Sequence, residues 1–518
     1  VSMSPLQDRL RDGQAVIAWT VEAADLLTPV SAFLKLRHHL PGADRNSFLL
    51  ESIEGGVARG RYSVIGLLPD RIWRCRTGTV AVSRDGDSFM PLDAHPIDSL
   101  RQQIAANRIE LPASLPPMIG GLFGYLGYDM VRQMERLPNS PVDDLGLPEA
   151  MLLRPSLFAV FDNVRDELTL AVPLRPDGEH QADMLWARGQ ALLAQARDAL
   201  SLELPAASAV QPVATVPIEP RSNFTREAFL DVVGRVQEYI AAGDAFQVVP
   251  SQRFSASFAP PPFALYRALR RINPAPFLFF LDLSSGDDRF QLVGSSPEVL
   301  VRLREGTVTV RPLAGTRPRG ADRAEDERLE AELLADPKER AEHLMLVDLG
   351  RNDVGRVATL GSVKVTESFM IERFSHVMHI SSTVEGMLRP ELDAVDALIA
   401  GFPAGTLTGA PKIRAMQIID EMELTRRGTY AGCIGYFGVD GAMDTCIGLR
   451  MALIKDGTMH VQAGCGVVAD SVAEAEYQET IQKARALFRA AELAIAQTQP
   501  PPGVQVHADA QRPHGVST

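Results

Sequence analysis

A chain of 518 residues with 46% apolar content is long enough for roughly two to four domains with sizeable buried cores. The net charge of −13 and the lack of Lys/Arg clusters argue against nucleic acid as the main partner, because neutralising phosphates takes a basic stripe. No apolar run reaches the length of a bilayer span, no basic n-region opens the chain, and four cysteines (Cys75, Cys433, Cys446, Cys465) show no Cys-x-x-Cys spacing, so a cytoplasmic protein without membrane segment or structural zinc is expected.

In chain order, the first domain (1–200) is expected to hold helices near 97–107 and 180–200 and a hairpin from Met151 to Pro173. A Pro/Ala/Val-rich stretch without amphipathic period marks a linker over 201–221. The second domain (222–495) opens on a helix, because Phe229, Val232, Val233, Val236 and Ile240 share one stripe that stops at Gly243. Strand-like runs follow: FQVVP, FLFFLDL, RFQLVG, VLVRL, TVTVR, YAGCIGYFGV, TCIGLRMALI and MHVQAG. Asp440-Gly441 and Asp456-Gly457 between the last of them are hairpin turns, so an α+β fold with a largely antiparallel sheet is predicted. The tail, 496–518, is proline-led, poor in large apolar residues and expected to be disordered.

Two Glu-x-x-Glu pairs, Glu339/Glu342 and Glu476/Glu479, each lie in a helical pattern, and residues three apart on a helix share a face. One such pair is ordinarily a solvated helix face. If both faces converge, four carboxylates need a hard divalent cation such as Mg²⁺, and such a cage then seeks an anionic ligand.

The turn Gly464-Cys465-Gly466 matches a dinucleotide fingerprint, but no second parallel strand follows before the proline tail, which removes the cofactor reading. It is read either as a tight turn or as a nest of backbone N–H groups for a carboxylate, with Arg450 and Lys483 adding positive charge. The string 405–412, which carries Thr406, lacks the Gly-Lys-Ser/Thr of a P-loop. It opens a helix at Pro411 and suits either an anion or a plain cap. His379 is either a satisfied core histidine or a catalytic one.

Together the strings PLAGTRPRG (312–320), EHLMLVDLGRND (342–353), SHVMH (375–379), GTLTGAPK (405–412), DTCIGLR (444–450) and QAGCGVVADS (462–471) resemble the chorismate-utilising enzymes. Within them they resemble the anthranilate synthase large subunits, strongly over roughly 220–490. The first domain joins through LLES (49–52) and GGLFGYLGYD (120–129). The resemblance implies antiparallel sheets packed as a sandwich with helices outside, and chorismate held with Mg²⁺. It implies Glu342 and Glu479 as metal ligands, Glu339 and Glu476 acting through water, and Gly315, Thr316, Thr406, Tyr430, Arg450, Gly464, Cys465, Gly466 and Lys483 at the chorismate.

Two positions decide the branch. Relatives that add water at C2 carry a lysine base where this chain has Gln247, and an amide cannot deprotonate water at neutral pH. Relatives that make 4-amino-4-deoxychorismate carry a lysine nucleophile where this chain has Ala314. What remains is attack by ammonia at C2, then loss of pyruvate to give anthranilate, the first committed step toward tryptophan. Glu298 is the expected acid for the C4 hydroxyl. His379, with an imidazole near its ordinary pKa, is expected to take the C2 proton. A synthase that stops at 2-amino-2-deoxyisochorismate, as in phenazine-type pathways, shares Gln247 and Ala314 and stays open. A 4-amino-4-deoxychorismate synthase and a non-catalytic tryptophan-binding regulator are further alternatives.

None of the cysteines sits in a Gly-x-Cys-x-Gly turn, so ammonia is expected from a separate glutamine amidotransferase subunit. Leu50, Glu51 and Ser52, with Pro276, Phe277 and Leu278, resemble the family's tryptophan feedback site. Ser52 is expected to meet the amino acid's polar end, and Pro276, Phe277 and Leu278 to line the indole pocket.

Overall fold

Among the described residues, twenty-one strands join into one hydrogen-bonded sheet with antiparallel ladders, and strands from the two halves of the sequence interleave in it. Strand Ser47–Glu54 pairs with Phe277–Ser285, and Leu122–Leu126 pairs with Cys433–Phe437. The structure, a computed structural model, describes residues 5–54, 58–176, 181–205, 218–374 and 377–497. Most of the expected linker (206–217), most of the tail (498–518), Ser375 and His376 lie outside the described residues. The last helix, Ala473–Gln497, continues past position 496, where the sequence places the start of the tail.

The hairpins form where the turn residues demand them. Ala150–Asp162 returns as Glu167–Leu174. Asp456 and Gly457 both take left-handed φ (49° and 71°), the pair a two-residue hairpin requires, and join Met451–Lys455 to Thr458–Gly464. The run read as TCIGLRMALI is not one strand. It breaks into Met443–Ile447 and Met451–Lys455, with Arg450 at φ 50° between them. Apolar residues on both sides of Gly448–Arg450 hide the break from a reading of periodicity.

One buried cluster is built from strand and loop residues, among them Phe48, Phe123, Phe158, Phe279, Phe290, Ile434 and Leu453. Phe48 stacks on Phe123 at 4.5 Å although their strands are not hydrogen-bonded neighbours, which is the interior contact of a sandwich. Helices cover the outside: Pro29–His39, Pro262–Ile272 and Ala473–Gln497 pack in a second cluster, and Pro96–Ala106 and Ala394–Gly401 in a third. Helix Arg226–Ala241 follows its stripe, burying Phe229, Val232, Val233 and Val236 at roughly 1.5–3 kcal/mol each. Thr225 caps its start, and Gly243 stands at φ 85° just beyond its end. Among the described residues no helix is long and apolar enough to cross a membrane.

Candidate active site

Helix Pro337–Gly355 starts where Asp336 accepts hydrogen bonds from the backbone N–H groups of Lys338 and Glu339, which puts Glu339 and Glu342 in its first turns. Against it packs the short strand Gln247–Val248, whose Gln247 Nε2 donates to Glu342 Oε1 at 2.9 Å. The Gly464–Gly466 turn closes the same space. A Cβ at Gly466 would lie 2.8 Å from Gln247 Nε2 and 3.7 Å from Glu342 Oε1, so a side chain there would displace the Gln247 amide. From helix Ala473–Gln497, Lys483 Nζ reaches Glu479 Oε1 at 2.5 Å and the Gly464 carbonyl at 2.9 Å. The guanidinium of Arg450 donates to the Lys483 carbonyl at 3.0 Å. The two glutamate-bearing helices thus meet across this turn.

Burial lifts the Glu342 carboxyl above its ordinary value against the Gln247 bond, and the charges of Glu339 and Glu479 lift it further. Glu476 is raised in the same way, by burial and then by Glu479, against a bond from Ser471. Its Oε2 is buried without a hydrogen-bond partner. Glu339 is ion-paired to Arg317 at 3.1 Å. Among the described residues no three His, Cys, Asp or Glu groups stand close enough to hold a metal ion, so the four carboxylates line one charged space without closing into a cage. In donor chemistry, though not in their present spacing, these carboxylates with one orphaned buried oxygen suit a hard divalent cation.

Strand Val377–Met387 carries His379 to this space beside Gly315. Gly315 has φ 65°, and a Cβ there would meet Glu339 Oε2 at 3.1 Å. The Gly315 carbonyl can only accept, so the His379 Nδ1 at 2.7 Å from it holds the proton and Nε2 keeps its lone pair. Thr316 Oγ1 lies 3.2 Å from the same Nδ1. Burial, helped by the charges of Arg450 and Lys483, pushes the imidazole down to about 4, which corrects the expectation of an ordinary value.

Glu298 is buried between strands. Its Oε1 accepts from Thr406 Oγ1 at 3.2 Å and from the Leu313 N–H at 3.4 Å. Desolvation outweighs both bonds and raises its carboxyl to about 8, so it is mostly protonated at neutral pH. Tyr430 is also buried, its hydroxyl 3.1 Å from the Cβ position of Gly464, and burial raises it to about 12, leaving it a donor. Burial lowers Arg450, opposed by Tyr430 and Glu479. The nest is smaller than the glycine spacing implies. The Cys465 N–H is bound to the Pro250 carbonyl at 3.1 Å, and Val467 N–H to Val248 at 2.9 Å.

Two ion pairs beside the site, one buried and one partly exposed, were not read from the sequence. Arg427 pairs with Glu423 at 2.6 Å and donates to the carbonyls of Leu407 and Val249, so it ties the Thr406 loop to the Gln247 segment. Lys412 pairs with Asp353 at 2.9 Å. Asp353 and Lys412 stand in motif strings and Glu423 and Arg427 do not, and nothing in one sequence says which charges are paired.

The second set of expected residues lies elsewhere, on a cavity of about 1930 Å³. Ser52 is cross-strand partner to Phe277 and Leu50 to Phe279, so the two strings are neighbours. Strand alternation divides them. Leu50 and Phe277 pack on the cavity side, whereas Leu278 joins the opposite core. Glu51 also turns that way, to Tyr266 at 2.5 Å and Arg270 at 2.6 Å. Leu278 and Glu51 border the cavity as well, while parts of their side chains pack behind it.

The chain matches the chorismate binding enzyme family over residues 58–489. It is 54% identical to anthranilate synthase component 1 of Cereibacter sphaeroides over 93% of this chain and 95% of that one. It is 46% identical to anthranilate synthase component 1 of Thermus thermophilus, over 91% and 97%. The crystal structure of anthranilate synthase component I from Streptococcus pneumoniae superposes with a TM-score of 0.72 at 37% identity, covering 83% of this chain and 92% of that one. The menaquinone-specific isochorismate synthase from Escherichia coli, 20% identical, shares the fold with a TM-score of 0.68 over 94% and 98%. On this evidence the chain belongs to the chorismate binding enzymes and, within them, to the anthranilate synthase component 1 family.

Proposed function

We propose that this chain is the synthase subunit of anthranilate synthase, converting chorismate and ammonia to anthranilate and pyruvate. The observation that carries the reading is a buried carboxylic acid, Glu298, near pKa 8, in a chain that offers an amide at Gln247 and a methyl at Ala314 where other branches need lysine. A protonated carboxyl can give its proton to the leaving C4 hydroxyl. With no side-chain nucleophile at either position, ammonia is left to form the bond at C2. His379, neutral and with its proton fixed on Nδ1 by Gly315, has Nε2 free to take the C2 proton in the second step.

Glu342 and Glu479 would hold Mg²⁺, with Glu339 and Glu476 behind them. When bound, the ion would neutralise substrate carboxylate and polarise it as a Lewis acid. In this reading Tyr430, Arg450, Lys483, Thr316 and the Gly466 N–H are the donors for a dicarboxylate.

Burial pushes all four thiols up, so none supplies a thiolate to release ammonia from glutamine. That supports a separate glutamine amidotransferase partner, and four unpaired cysteines agree with a cytoplasmic location. The cavity bordered by Leu50, Glu51, Ser52, Pro276, Phe277 and Leu278 is the candidate tryptophan inhibition site.

An assay of the chain alone with chorismate, Mg²⁺ and ammonium tests the reading. Fluorescent anthranilate is expected. Accumulation of a non-aromatic amino product would favour the phenazine-type alternative, and no consumption of chorismate would refute both.

A further inference from the structure

Glu298 is enclosed by protein, so a proton that leaves its carboxyl has to be replaced. On one side a chamber of about 40 Å³ is bordered by Glu298, Thr406, Leu349, Asp353 and Gly401. That is room for at least one water, with polar groups at both ends to hold it. At one end the Thr406 hydroxyl points its proton at Glu298 Oε1 across 3.2 Å. At the other, Lys412 Nζ donates to Asp353 Oδ2 at 2.9 Å and to the Gly401 carbonyl at 3.4 Å. The Asp353 and Lys412 side chains retain 13% and 11% exposure, so this end reaches solvent.

We propose that Asp353, held by Lys412, returns protons to Glu298 through water in this chamber and the Thr406 hydroxyl. The proposal rests on Glu298 as the acid of the amination step. In that step the Glu298 O–H bond and the substrate C4–O bond break, the hydroxyl leaves as water, and Glu298 is left a carboxylate. Thr406 then gives its hydroxyl proton to Glu298 and takes one from the chamber water, which is refilled from Asp353 and solvent. One proton enters by this route while the new C2 ammonium sheds one, so the balance over a turnover is zero. Burial raises the Asp353 carboxyl against the pull of Lys412, which brings proton uptake closer to the working pH.

The enzyme starts with Glu298 already protonated, so the relay is needed only after the first turnover. Rapid-quench kinetics with chorismate, Mg²⁺ and ammonium should show Asp353→Asn completing a first turnover within about twofold of the parent, then slowing at least about tenfold. KM for chorismate should not change, the D2O effect on kcat should grow, and Asp353→Glu should recover the later turnovers. Because Asp353→Asn strands the Lys412 charge, the double variant Asp353→Asn/Lys412→Met is measured beside it and should show the same burst. First and later turnovers slowed alike, or no slowing in either variant, would overturn the relay. The reading of Glu298 fails separately, if Glu298→Gln consumes chorismate at the parent rate.

Discussion

Gln247 Nε2 donates to Glu342 Oε1 across 2.9 Å, joining the strand Gln247–Val248 to the helix that carries the Glu339/Glu342 pair. The amide that cannot act as a base therefore orients a carboxylate at the centre of the charged space. Removing an orienting partner of a metal ligand costs about 10–100-fold in metal affinity. Gln247→Ala is expected to raise the Mg²⁺ concentration for half-maximal activity by that factor, whereas Glu342→Gln or Glu479→Gln should abolish turnover. A Mg²⁺ titration of each variant checks this, and full activity of the parent in excess chelator would remove the metal from the site.

The acidity of Glu298 predicts a pH profile. Consumption of chorismate at constant free ammonia should fall as pH rises through about 8, where the carboxyl loses its proton. Thr406→Val deletes a donor that stabilises the charged form, so the alkaline limb should move to higher pH. Stability follows the same direction. The folded chain holds this proton more tightly than the unfolded one, so the contribution is whole below about pH 4.3 and is lost as pH rises to about 8.

His379 is neutral well below neutral pH, because its imidazole is pushed down to about 4. The lyase step should therefore show no limb near pH 6.5. His379→Met is expected to slow that step by about 10²–10⁴-fold while amination continues, so the pyruvyl-bearing amino intermediate accumulates and is visible by mass spectrometry. Both steps slowed together, without intermediate, would make His379 a positioning group.

Ser52 faces Phe277 across adjacent strands at the edge of the large cavity. Ser52→Phe is expected to relieve tryptophan inhibition by about tenfold or more while ammonia-dependent catalysis stays within about twofold. Coupling is reciprocal, so chorismate should weaken tryptophan binding by the same factor. Calorimetry with and without saturating chorismate measures it, and an unchanged affinity would dismiss the allosteric link.

The Arg427–Glu423 pair is 2% and 3% exposed, so removing one partner leaves a buried charge. Glu423→Gln should cost about 3–5 kcal/mol, read as a lowered urea midpoint. A loss below about 1 kcal/mol, the range of an exposed pair, would mean that water reaches the guanidinium.

Much of the site was legible because motif strings carry their own chemistry. Glu339, Glu342, Glu476 and Glu479 stand at helical spacing, and both pairs do lie on helices that meet at the Gly464–Gly466 turn. The hairpin at Asp456-Gly457 follows from backbone preferences that two residues suffice to express, whereas Asp440-Gly441 sits in a longer loop between Phe437 and Met443. The break at Arg450 was marked only by Gly448 and Arg450 in a mostly apolar run, and such single residues also occur inside strands.

By itself the sequence determined what is local: the periods of the helices, the turns, the residue types at Gln247 and Ala314 on which the proposed choice of nucleophile rests, and the family. Only the tertiary structure decided what depends on surroundings. The carboxyl of Glu298 and the imidazole of His379 have ordinary pKa values as free side chains, and burial moves the first up to about 8 and the second down to about 4. Strand register likewise decided that Leu50 and Leu278, both apolar and both in expected contact strings, face opposite sides of one sheet. Desolvation and register depend on neighbours that are distant in the chain, so they come into being only when the chain has folded.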